Sequence, residues 1–358
     1  MRIGFAGKVA QAFINSKLTP LLIIASLGLG ALALIATPRE EEPQIRVPMV
    51  DVVIAWPGAE PAEVESRIVA PIERVLWGVT AVDHIYSVAR PGMAIVTVRF
   101  KVNESNEESL VKVFERQSAM SWILPEGSMP PVVELHSIDD VPFLTLTMWG
   151  HDWTSDRLRP VAAEIAQELS EIPETSRAQI IGGQPRAVRV EPDPDRMAAA
   201  GISWMQLTQS LQAASVRQSA GTVVRENREI RVEVGPLFQN AEEIERVVVG
   251  VHQGQPVYVS SIAAVIDGPA EVTDAVFFSP GPSGGEYSQP AGSEYQAVTI
   301  ALAKRTGSNA TELAERVLEK LDDLRPHLVP DGVQVDVTRN YGETAEEKSD
   351  ELVKHLLI

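Results

Sequence analysis

The sequence contains no cysteine. Disulfide bonds, cysteine zinc sites and thiol catalysis are thereby excluded, and the composition suits an oxidising compartment without requiring one. Aromatic residues are sparse at 5% of the chain, and basic residues are outnumbered, with 31 Lys and Arg against 49 Asp and Glu. The formal net charge of −18 repels phosphate backbones and no basic stripe offsets it, so nucleic acid is not an expected partner. The six histidines show no His-x-His or His-x-x-x-His spacing. Neither Gly182-Gly183 nor the stretch Gly281 to Gly285 ends in the Gly-Lys-Ser/Thr of a phosphate loop. His136, Ser137 and Asp139 lie too close in sequence to form a hydrolytic triad. No metal site, no cofactor and no enzyme are expected.

What is present is 44% hydrophobic residues in 358, enough for two or three domains with real cores. Acid is missing from the first 39 residues, which carry Arg2, Lys8, Lys17 and Arg39, and Glu40, Glu41 and Glu42 follow at once. Between Leu18 and Ala36 there is no charge at all. At ~1.5 Å per residue such a helix is roughly 28 Å long, close to the hydrocarbon thickness of a bilayer. A cleaved signal peptide shares this pattern, but its apolar region usually runs only ~7 to 15 residues, so a transmembrane helix is expected over 17–37. Phe5, Val9, Ala12 and Phe13 fall on one helical face, which predicts an amphipathic helix over 1–16 on the membrane surface. Basic residues before the span and acidic ones after it place the N-terminus in the cytoplasm and the bulk of the chain outside. A helix over 343–358 turns apolar towards Ile358, which predicts either the start of a second span or an ordinary amphipathic helix.

Between these ends the pattern is α+β. Val50, Val52, Ile54 and Trp56 alternate as a strand; a helix follows with Val64, Ile68, Ile72, Val75 and Leu76 on one face and a kink expected at Pro71. Strands near Val82 to Val88 and Ala94 to Val102 flank an Arg90-Pro91-Gly92 turn. A helix from Ser105 to Leu124 comes next, with Leu110, Val113, Phe114 and Met120 inward, and Val132 to Leu135 closes the unit. The order β-α-β-β-α-β is the ferredoxin-like, split βαβ arrangement.

The same order restarts at Phe143, breaks near Ile181 and resumes with Val298, Ile300 and Leu302, a helix capped by Asn309, and Val333, Val335 and Val337. This reads as an internal repeat over 43–136 and over 137–183 with 271–340, the second copy split by an insertion at 184–270. Within the insertion, Ser215 to Arg231 reads as a projecting hairpin, and Ser279 to Ser293 as a surface loop.

Several stretches, in collinear order over nearly the whole chain, resemble resistance-nodulation-division (RND) efflux permeases of the acriflavine-resistance type. They are Ala55-Trp56-Pro57-Gly58-Ala59, Pro71-Ile72-Glu73, Gly78-Val79, Tyr86-Ser87, Leu124-Pro125 before Pro130-Pro131, Gly183-Gln184, Val188-Arg189-Val190, Gly201-Ile202-Ser203 and Ala220-Gly221. The resemblance implies a first transmembrane helix, porter subdomains at 43–136 and at 137–183 with 271–340, a docking subdomain at 184–270, and the start of a second membrane helix. It implies the N-terminal part of a homotrimeric, proton-driven antiporter in the bacterial inner membrane, with the bulk of the chain periplasmic. Its partners would be a periplasmic adaptor, an outer-membrane channel, the lipid bilayer and a small-molecule substrate. The proton-relaying carboxylates of such pumps belong to later membrane helices, so this part alone is not expected to transport.

On the strand Phe143 to Trp149, Leu144, Leu146 and Met148 alternate with Phe143, Thr145, Thr147 and Trp149, so if the aliphatic set meets the helices the mixed aromatic and hydroxyl set faces the open side of the sheet. By the same resemblance the substrate pocket would be lined from this strand, by Phe143, Thr145 and Thr147, and by Ile181, Phe277 and Phe278; packing against a neighbouring subdomain is the alternative for these residues. The chain departs from the pattern in having Ile181 where many drug pumps have Phe, and in a shorter segment at Ser215 to Arg231 than the arm that locks multidrug trimers. A metal-ion exporter of the same type and a single-pass, membrane-anchored interaction module are the alternative readings.

Overall fold

A computed structural model of the protein describes residues 18–37, 39, 45–136, 140–216, 218–234, 237–281 and 292–357, with a few isolated positions before Leu18. The helix expected over 1–16, the acidic run at Glu40 to Glu42 and most of the loop at Ser279 to Ser293 lie outside the described residues.

Helix α1 runs from Leu18 to Ala36, and its large apolar side chains are exposed, Ile24 at 70% and Leu27 at 69% among them. Among the described residues no helix is long and apolar enough to cross a membrane. The side chains of α1 are described only as far as Ala33, and that stretch covers roughly 24 Å at ~1.5 Å per residue.

The rest is a mixed α+β structure built on antiparallel sheets. Strand β1 (Met49–Ala55) alternates cleanly, with Val50, Val52 and Ile54 fully buried. The following helix, α2, is made of Pro61–Val64, a π-helical turn Glu65–Val69, and Ala70–Leu76. The π turn stands immediately before Pro71, where the helix is expected to depart from regular geometry. The amide of Ala70 already reaches back five residues to the carbonyl of Glu65, so the widened turn accommodates a proline that lacks an N–H.

Strands β2 (Val82–Arg90) and β3 (Met93–Phe100) form a hairpin whose tip needs Gly92 at φ +72°. Helix α3 (Asn106–Ile123) is capped by Ser105, and β4 (Val132–His136) completes a sheet in the order β2-β3-β1-β4. In α3 the inward face is Ser109, Val113 and Met120; Phe114, expected inward, is 45% exposed because a small buried serine sets the rotation of the helix.

A second sheet repeats this plan. Its elements are β5 (Pro142–Gly150), α4 (Ser155–Ser170), β6 (Thr175–Ile181) and, after a long excursion, β14 (Tyr295–Lys304), a helix at Ala310–Leu328 and β15 (Val333–Asn340). Strand β14 pairs β5 along one edge, and β6 pairs with its other edge just as β2 pairs with β3. Leu144, Leu146, Met148, Leu158, Ile165, Leu313, Val317 and Leu321 pack between this sheet and its two helices, whereas Val337, expected inward, is 43% exposed beyond the end of the core.

The excursion occupies the place of the β2–β3 turn. It holds β7 (Arg186–Pro192), α5 (Pro194–Ala200), α6 (Trp204–Ala214), the hairpin β8 (Gln218–Arg225) with β9 (Arg228–Val234), the pair β10 (Val248–His252) and β11 (Gln255–Tyr258), β12 (Ala263–Pro269) and β13 (Val276–Phe278). Strand β12 returns antiparallel along β7, and a separate core of Met197, Ile202, Leu207, Ile244, Val249 and Val259 lies beyond that ribbon. Helix α7 is the Ala310–Leu328 helix, capped by Asn309 with its side chain bonded to Glu312, and α8 runs over Tyr341–Leu357.

Candidate substrate-facing surface of the second sheet

Alternation along β5 sends Leu144, Leu146 and Met148 to the helices and Thr145, Thr147 and Trp149 to the other face. Register places Thr299 of β14 beside Thr147 on one side and Asp336 of β15 on the other, and Ile181 of β6 beside Thr299. A ladder of hydroxyls results. Thr147 Oγ1 lies 2.9 Å from both Thr299 Oγ1 and Thr338 Oγ1, and Thr145 Oγ1 is 2.9 Å from Thr338 Oγ1.

At the end of the ladder the face becomes aromatic. The Trp149 ring stacks on Phe278 with centroids 4.6 Å apart and lies 5.0 Å from Tyr295. Its indole N–H donates to Asp336 Oδ2, a charge-assisted bond that fixes the ring beneath its two neighbours. Trp149 is only 1% exposed, so Phe278, Tyr295 and Asp336 present the surface.

Of the six residues singled out in the sequence, Thr145, Thr147, Ile181 and Phe278 share this face. Phe143 does not. It is the extra residue where β5 slips against β14, since Leu144 faces Leu302 and Pro142 faces Ala303, and it is buried at 2% in the core. Phe277 precedes the stacked Phe278 on β13, so alternation turns it away, 61% exposed. Tyr295, Thr299, Asp336 and Thr338 were missed. Their signal was the polar alternate set of the two later strands, but only the strand register shows that these sets meet β5.

The face is bounded by the crossing into the inserted unit. Gly182 and Gly183, at φ +79° and +68°, carry the chain from β6 towards β7. Arg159 of α4 donates to both of their carbonyls, and the amide of Gly182 donates to Asp274 Oδ2 at 2.8 Å. This amide, with the Thr273 hydroxyl, holds the Asp274 carboxyl below its usual range. Further along the ribbon, Arg186 and Asp267 form a two-pronged pair, which lowers the Asp267 carboxyl likewise. Among the described residues no group of three or more His, Asp or Glu is placed to hold a metal ion.

Comparison with known protein families matches residues 9–358 to the AcrB/AcrD/AcrF family. The chain belongs to this family. AcrB/AcrD/AcrF proteins are RND efflux transporters of the inner membrane, typically not enzymes, and generally form trimers within tripartite pumps. Among curated relatives, the "Multidrug resistance protein MdtC" of Yersinia pseudotuberculosis serotype O:1b (strain IP 31758) is 26% identical over 343 residues, covering 95% of this chain and 32% of the relative. The protein of the same name from Yersinia pestis bv. Antiqua (strain Angola) matches with the same identity and coverage. The chain thus spans about a third of the length of these AcrB/AcrD/AcrF relatives.

Proposed function

We propose that this chain is the N-terminal part of an RND efflux permease that exports small molecules from the periplasm or inner membrane. The observation that carries the reading is a repeated sheet-and-helix unit, with a third unit inserted in the second hairpin, on a chain matching the family over residues 9–358. On this reading the ferredoxin-like units at 43–136 and at 137–183 with 271–340 are porter subdomains, and 184–270 is the docking subdomain. Three separate hydrophobic cores support that division.

Helix α1 is then the first membrane span. Its exposed Leu and Ile side chains would each lose ~1.5 to 3 kcal/mol of burial free energy in water, which a bilayer relieves. Gly30 and Ala33 of α1, with Leu352 and Val353 of α8, line a shared cleft, and Arg39 pairs with Asp350 at 3.5 Å at its mouth. This supports a second span beginning in α8. The exposed Trp122, at 88%, and the projecting β8–β9 hairpin suit contacts within a homotrimer, and the inserted unit suits a periplasmic adaptor and an outer-membrane channel.

The threonine ladder and aromatic end of the second sheet form, on this reading, one wall of the substrate cleft, where apolar contact is combined with a few fixed polar groups. Sequencing the locus beyond codon 358 tests the proposal. A reading frame that continues through further hydrophobic spans is expected; a stop codon with no continuing frame would favour a membrane-anchored interaction module.

A further inference from the structure

Asp336 is the one acidic side chain on the face of the second sheet that carries Trp149, Phe278 and Tyr295, among the described residues. One of its oxygens accepts the Trp149 indole N–H. The other has no protein partner, and no Lys, Arg or His lies within ion-pair distance of the carboxylate, among the described residues. The nearest basic residue in sequence, Arg339, instead lies over the Tyr341 ring, 4.8 Å from its centroid. A half-buried carboxylate left without a cation beside a stacked aromatic pair is an electrostatic vacancy of definite sign. The rings add to it, because the negative faces of Trp, Tyr and Phe also attract positive charge.

We infer that Asp336 is a specificity-determining contact, and that the surface over Phe278 and Tyr295 takes a flat organic cation in preference to a neutral or anionic molecule of the same shape. The inference rests on the proposed role of this face as a wall of the substrate cleft and adds the charge class of the substrate. The flat part lies against the half-buried edge of the Phe278 and Tyr295 rings, and the positive group approaches Asp336 Oδ1. The Thr147 and Thr338 hydroxyls, 2.9 Å apart, extend the polar edge without adding charge, so sign selection falls to Asp336.

The substitution Asp336→Asn tests this with little disturbance, because the amide oxygen still accepts the indole N–H and the ring stack is retained. The whole chain is placed in nanodiscs of zwitterionic phosphatidylcholine, and binding of ethidium, a planar cation, is compared with that of N-phenyl-1-naphthylamine, a planar neutral probe. Asp336→Asn is expected to weaken ethidium roughly three- to tenfold, the scale of a partly screened ion pair with ring contact, and to leave the neutral probe unchanged. Asp336→Glu should restore the preference. Added salt should weaken ethidium alone in the wild type. Phe278→Ala should weaken both probes. Ethidium binding that is lost with Phe278→Ala but unaffected by Asp336→Asn would overturn the inference while the binding face stands. Equal weakening of both probes by Asp336→Asn would overturn it too, marking Asp336 as a prop for Trp149. Probes that ignore all three substitutions would sink the inference and the proposed binding face together.

Discussion

Arg159 Nη1 lies 2.6 Å from the carbonyl oxygen of Gly182 and also reaches that of Gly183 at 3.2 Å. A helix of the second sheet unit thereby grips the backbone where the chain leaves for the inserted unit. Hydrogen bonds from a charged donor contribute ~1.5 to 3 kcal/mol. Arg159→Ala is therefore expected to lower the stability of the second unit by about that amount, measured as a fall in thermal unfolding temperature. Faster hydrogen exchange at the Gly182 amide should accompany it.

The two glycines differ from turn glycines elsewhere. A Cβ on Gly183 would lie 2.6 Å from the Ser155 carbonyl oxygen and 3.0 Å from Arg159 Cβ, whereas a Cβ on Gly58 would meet nothing within 4 Å. Both have positive φ, so both pay the left-handed cost of ~1 to 2 kcal/mol on substitution by alanine. Gly183→Ala adds overpacking of ~1 to 3 kcal/mol. Unfolding measurements should show Gly183→Ala clearly more destabilised than Gly58→Ala; equal effects would mean the crossing is looser than described.

Stability should fall in acid through identifiable pairs. Asp83 is lowered by its hydrogen bonds to Arg99 and His84, Asp267 by Arg186, and Asp274 by the Gly182 amide. Each carboxyl is depressed in the folded state, so its contribution is complete above the ordinary aspartate value of 3.8 and is lost as pH drops through the lower folded value. Unfolding temperature plotted against pH should decline below about pH 4, with a shallower decline in Asp267→Asn.

Core and surface should separate sharply. Leu146 is fully buried between β5 and its helices, and Leu146→Ala is expected to cost ~2 to 5 kcal/mol. Trp122 is 88% exposed on α3, so Trp122→Ala should leave the unfolding of the isolated protomer within ~0.5 kcal/mol. If the exposed ring belongs to a contact between copies, the same substitution should instead shift the oligomer distribution in light scattering.

Much of the organisation was legible because it rests on local pattern. The period-two run of Val50, Val52 and Ile54, the Asn309 cap and the positive-φ turn at Gly92 each announce an element within a few residues. What was illegible depends on pairing between distant segments. The π turn before Pro71 leaves no periodic trace over five residues, and the short strand β13 is defined only by its partner β14. The candidate surface was half legible for the same reason. Thr145 and Thr147 follow from alternation on one strand, but the slip that buries Phe143 and the register that brings Asp336 to Trp149 are properties of the sheet.

The absence of native cysteine makes the most direct test clean, since an introduced thiol is the only one in the chain. Glu164→Cys on α4 and Glu319→Cys on α7 place it on exposed positions of the body. In a Gram-negative host with a permeabilised outer membrane and an intact inner membrane, a membrane-impermeant maleimide is predicted to label both positions in protein that stays with the membrane after a carbonate wash. Labelling that appears only once the inner membrane is broken, or protein recovered in the soluble fraction, would contradict a body held outside the cytoplasmic membrane by α1.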